Sequence, residues 1–131
     1  MFTLRQQHQS AFQTKAEADF VQEVMQYLQK EFPNSLLIIG KKQLRVKYIS
    51  EKILRDFCKI AILISRKKGV KGSNETRAFI SYMIILGLNF YEHNLLSKYF
   101  LPLGSNANEF IFRIPHLSEN DWKEIKEFCK N

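Results

Sequence analysis

At 131 residues with 45% hydrophobic side chains, eleven Phe and five Tyr, the chain is sized for one domain with a real core. Three Pro and five Gly are too few for a disordered or turn-dominated chain. The formal net charge of +7 sits in one third of the sequence: residues 41–80 hold twelve Lys or Arg against three Asp or Glu, and the two flanks each sum to −1.

The opening MFTLRQQHQSAFQTK lacks the apolar centre of a secretory signal, and no apolar run approaches bilayer length. The expectation is therefore a cytoplasmic protein with no membrane association. Cys58 and Cys129 have no CxxC spacing and are expected to be free thiols.

Residues from Gln6 to Phe32 read as a first helix. Phe12, Ala16, Phe20, Val24 and Leu28 recur every four residues, with Val21, Met25 and Phe32 widening the stripe. Pro33 ends it, because the residue before proline avoids helical angles. Asn34–Gly40 is open between a helical turn and a short strand.

A long helix is expected from Lys41. Its inward stripe is Val46, Ile49, Ile53, Phe57, Ile60 and Ile64, with a break near Cys58 left open by the β-branched residues that follow. Lys41, Arg45, Lys52, Arg55, Lys59 and Arg66 form a second stripe on the opposite side, and Gly69 to Gly72 closes the segment.

Ser73–Glu92 is the stretch around which the rest is organised. Phe79, Ile80, Tyr82, Met83, Ile84, Ile85, Leu86 and Leu88 fall on every side of a helix, which places that helix inside a core. Ser73 or Asn74 is the expected cap, Glu75 suits the positive end of the dipole, and Gly87 offers a stop. A short amphipathic turn follows over Asn94–Leu101, then an exposed loop over 105–108. Glu109–Ile114 is open between a brief strand and an extended arm. Ser118 caps a last helix, Glu119–Lys130, with Trp122, Ile125, Phe128 and Cys129 inward. The expected fold class is all-α: a single-domain bundle of four to five helices around the apolar helix at 74–88, with room for one or two very short strands.

Reactive chemistry is hard to find. His8, His93 and His116 have no ligand partner at helical spacing, so no metal site is expected. No GxSxG elbow is present, and Gly69–Ser73 lacks the GxxxxGK[ST] spacing of a phosphate loop. The acids of the last helix read as dipole partners rather than a catalytic pair. No cofactor is expected, and the reading is not that of an enzyme. The basic stripe stands out because few acids balance it. It would track phosphates or an acidic protein surface, unless it is a plain solvated face. With Tyr48 its single stacking residue, single-stranded nucleic acid is disfavoured and a protein partner preferred.

Arg5, Gln6, Phe12, Phe20, Leu28 and Phe32-Pro33, followed by Gly69-Val70, Ser73-Asn74-Glu75 and Phe79-Ile80-x-x-Met83-x-x-x-Gly87-x-x-Phe90, resemble a pattern in a group of small helical proteins. That group is typically encoded beside spike and effector genes of bacterial type VI secretion clusters. The resemblance covers about residues 4–100. The aspartate and proline expected soon after Phe90 are missing, and 104–131 looks like an addition. It implies a setting, not a catalytic residue. The expected roles are an adaptor or chaperone for a secreted effector or spike protein, or an immunity protein against a cognate toxin. A nucleic-acid-binding module is the weaker alternative.

Overall fold

A computed structural model describes residues 15–101, 104 and 106–129. Within them the chain is mostly helical and carries one short two-stranded antiparallel sheet, within the one or two very short strands for which the expected helical fold left room.

Helix α1 spans Lys15–Glu31 and buries Val21, Val24, Met25 and Leu28, the stripe set by its four-residue spacing. Phe32 donates its amide to Leu28, and Pro33 then stops the helix. The expected earlier turns, including Phe12, lie outside the described residues.

The next segment departs from expectation. Strand β1 (Leu36–Ile39) pairs with β2 (Lys42–Arg45), with Leu36 opposite Arg45 and Ile39 opposite Lys42. Gly40 opens the two-residue turn at φ +64, and Lys41 follows without a positive φ, the sign pattern of a type II′ hairpin turn. Val46–Tyr48 makes a 3₁₀ turn, and only at Ser50 does the next helix begin. Helix α2 therefore spans Glu51–Lys67, ten residues later than the hydrophobic spacing predicts. Ser50 fixes that start: its hydroxyl accepts the Ile53 amide at 3.3 Å, satisfying one of the orphan donors.

The buried face of α2 also differs from the expected one. Leu54, Cys58, Ala61 and Ser65 are buried, each one residue beyond Ile53, Phe57, Ile60 and Ile64. One residue is about 100° of rotation. Small side chains share this seam with the fully buried Leu54 and Ile62, while Phe57, Ile60 and Ile64 flank it half-buried and Ile53 is left 40% exposed. Ser65 is buried without penalty because its hydroxyl donates to the Ile62 carbonyl at 2.8 Å.

Helix α3 (Ser73–Ile85) begins after Gly72 with no side-chain cap; Asn74, an expected cap, instead accepts from Arg77 at 2.6 Å. From Thr76 to Ile84 none of its residues is exposed. It contacts α1 and α2. Phe79 is the hub of its buried side, with ring centroids of Phe90, Tyr91, Phe100 and Phe110 at 5.1, 5.6, 5.5 and 5.8 Å. Such edge-to-face and offset pairs add to the area they bury. On another side Ser81 donates to the Arg77 carbonyl at 2.8 Å, which leaves its oxygen to accept from Tyr27 of α1 at 3.0 Å. Gly87 then breaks the helix at φ +142 and lies against Cys129, whose Cβ and Sγ occupy the space any side chain there would need.

The remainder wraps the hub. A 3₁₀ turn at Phe90–Glu92 leads to the short α4 (Asn94–Ser97), whose first turn is capped by His93 Nδ1 accepting the Leu95 amide. The expected exposed loop at 105–108 holds a buried residue, Ala107, at the head of a 3₁₀ turn. Glu109–Ile114, expected as strand or arm, is helical: α5 (Phe110–Arg113) runs into a 3₁₀ turn at Ile114–His116. Ala107, Phe110 and Ile114 are all buried, a three-then-four spacing that follows one helical face, whereas a strand would place Ala107 opposite the other two. Helix α6 (Glu119–Cys129) is capped by Ser118, which accepts the Asp121 amide at 3.1 Å. Ala107, Phe110, Ile114 and Ile125 thus join the same core as α1–α3.

Candidate functional site

The six stripe cations divide between two elements. Lys41 sits in the hairpin turn and Arg45 ends β2, so neither belongs to the helix on which the spacing places it. Lys52, Arg55, Lys59 and Arg66 remain on α2 and fall within about 60° of arc over about 21 Å of axis. Their surroundings differ. Arg55 pairs with Glu51 one turn back at 2.9 Å, and Arg66 reaches Glu17 of α1 at 3.5 Å. Arg45 donates to the Asn34 carbonyl at 3.0 Å, which braces the foot of the hairpin. Lys41 and Lys52 are exposed. With both ion pairs largely solvated, their worth is about 0–1 kcal/mol each, so they do not consume the positive field.

That field is broader than the stripe. Between residues 41 and 71 there are eleven Lys or Arg, against Glu51 and Asp56. Residues 32–50, which contain the whole hairpin, carry Lys41, Lys42, Arg45 and Lys47 with no acid at all. Exposed apolar groups accompany them: Leu36, Ile38 and Tyr48 are 51%, 56% and 70% exposed. Lys47 Nζ stands 5.1 Å from the Tyr48 ring centroid. Leu36 and Ile38 are residues that sequence spacing leaves unassigned. The signal for them is Gly40 between LLII and KKQLR, a two-residue turn that makes the flanking runs strands and turns alternate side chains outward.

A cleft of about 590 Å³ lies between α1 and the start of α3. Glu17, Asp19 and Glu23 line one wall, with Arg66 and Lys71 facing them. Arg66 pairs with Glu17 across it, and Glu23 pairs with Arg77 at 3.8 Å outside its lining, so two of the three acids already have cationic partners. Neither thiol is set up as a nucleophile. Burial pushes the Cys58 thiol up to about 12, and burial followed by the Glu92 carboxylate raises Cys129. Among the described residues no group of three or more His, Cys, Asp or Glu comes together, and no helix is long and apolar enough to cross a membrane.

No family model matches the chain, and no curated protein or solved structure matches it either.

Proposed function

We propose that this chain is a non-enzymatic accessory factor that binds a protein, acting as an adaptor or chaperone for a secreted effector or spike component. The single observation that carries the binding reading is the cation-rich surface of residues 41–71 with exposed aliphatic side chains beside it in sequence. A net excess of cations attracts an acidic partner and fixes its register, and exposed Leu and Ile favour a surface with apolar side chains of its own. A nucleic-acid duplex offers Leu36 and Ile38 little, and Tyr48 alone is a poor stacking platform. The secretion setting rests on the resemblance of residues 4–100 to proteins of type VI clusters.

Tagged protein isolated from its own host, with mass spectrometry of what accompanies it, should yield a stoichiometric effector or spike protein. Its affinity should fall on adding salt and on Arg55→Glu with Lys59→Glu. Unchanged affinity at low and high salt would reduce the α2 cations to a solvated face. Deletion of the gene should stop export of the partner; intact export with loss of self-protection would instead make the chain an immunity protein. Tight binding to random-sequence duplex with a log–log salt slope near about −5 would favour nucleic acid.

A further inference from the structure

We propose that the outer edge and outward face of β1 form a docking strip on which an extended segment of an acidic protein adds as a third strand. The proposal rests on the protein-binding reading above and names the surface and the partner chemistry.

The hydrogen-bond phase of the hairpin is fixed. A two-residue turn makes Ile39 and Lys42 the closing hydrogen-bonded pair, and the Val46 amide donates to the Ser35 carbonyl at 2.9 Å at the other end. Leu37 and Ile39 therefore spend their backbone groups on β2, while Ser35 accepts from Val46 and donates its own amide to the Phe32 carbonyl at 3.2 Å. The N–H and C=O of Leu36 and Ile38 point the other way, toward an edge on which no strand among the described residues lies. Side chains follow the same alternation. Leu37 is buried at 2% and Leu44 packs half-buried beside it, while Leu36 and Ile38 face outward with Arg45 and Gln43 as their cross-strand neighbours.

Exposed edges are normally blunted by charge, proline or a bulge. Here β1 reads Leu-Leu-Ile-Ile with none of these, and the cations stand on the turn and on β2. A second copy of the chain would bring its own Lys41, Lys42, Arg45 and Lys47 against this set, with no acid between residues 32 and 50 to offset them. An acidic strand meets no such repulsion. Its backbone satisfies the free groups of Leu36 and Ile38, its alternate apolar side chains cover theirs, and its carboxylates meet the surrounding cations.

The test is selection of short random peptides, displayed on phage, against the full chain. Selected peptides should alternate branched or aromatic residues with Asp or Glu. They should weaken at least about tenfold with Ile38→Lys and with the milder Leu36→Ala/Ile38→Ala pair, both of which should melt within a few degrees of the parent. The Leu36 and Ile38 amides should exchange rapidly in the free chain and slowly in the complex. The proposal is overturned if no peptide is enriched, if the peptides are basic or lack alternation, or if they bind both variants normally. It is also overturned if the free chain is a dimer that Ile38→Lys dissociates, or if removal of residues 1–14 is what exposes those two amides. Peptides sensitive to Arg55→Glu/Lys59→Glu yet indifferent to Ile38→Lys would sink the strip while leaving the protein-binding reading intact.

Discussion

Helix α3 and strand β1 are built from the same kind of residue, and they meet opposite fates. α3 reads Phe-Ile-Ser-Tyr-Met-Ile-Ile from residue 79 and is covered through Ile84. β1 reads Leu-Leu-Ile-Ile and leaves two of its four side chains more than half exposed. Hydrophobicity does not separate them; the number of neighbours does. α3 meets α1, α2 and α5, and the rings of Phe90, Tyr91 and Phe100 gather on Phe79. β1 has one partner strand and one covered face. A core forms where elements converge, and apolar side chains elsewhere remain available for recognition.

This contrast should be visible in mutational energetics, most strongly at the hub. Phe79→Ala removes a ring that touches four others and should cost about 3–5 kcal/mol in a denaturant titration. Met83→Asp should be comparably severe, since a carboxyl at a site 3% exposed is taken out of water or forced to protonate. A loss under about 1 kcal/mol for both would remove α3 from the centre of the fold. Next comes Gly87→Ala, which meets an unfavourable φ of +142 and the Cys129 side chain together, and should cost about 2 kcal/mol or more.

A smaller effect is expected with pH. Cys58 has a folded pKa raised from 9.0 to about 12 by burial, so the folded chain keeps a proton that the unfolded chain loses. Its contribution is intact below pH 9 and declines between pH 9 and 12, with a slope of up to about 1.4 kcal/mol per unit. Cys58→Ala should flatten that part of the stability–pH curve; an unchanged slope would assign it to other groups, such as the half-buried Tyr82, raised by burial and then by Tyr27. Ser50→Ala should cost about 1 kcal/mol by uncapping α2. Ile38→Lys should change folding stability by no more than about 0.5 kcal/mol, and a larger loss would mean that the outward face of β1 is covered after all.

The sequence is readable in α1 up to Pro33, in α3 with its break at Gly87, and in the start of α6 behind Ser118 with Ile125 inward, whereas Phe128, expected inward, is 36% exposed. The misreadings have separate physical causes. The spacing of Val46 and Ile49 fits a helix that begins at Lys41, but Gly40 and Ser50 override it, one as a hairpin turn and the other as a cap. The buried seam of α2 was hidden because Cys58, Ala61 and Ser65 are small, so an apolar pattern picks out the bulkier residues one position away. In Glu109–Ile114 six residues are too few for periodicity to choose helix over strand. The same Gly40 decides how much of the candidate surface was legible. The four α2 cations share a face as spacing requires, whereas Lys41 and Arg45 went to the hairpin together with the unforeseen Leu36 and Ile38.

The ring cluster around Phe79 also sets an order of assembly. Its members run from Phe79 to Phe110, so every ring partner lies within about 31 residues of chain and closes only modest loops. Contact between Tyr27 and Ser81 spans 54 residues. In a chain emerging from the ribosome, α1, the hairpin and α2 are made first and can pack on one another, but α3 and the rings that complete their core follow only as residues 73–110 are made. The edge of β1 is therefore made well before the rings that close the core.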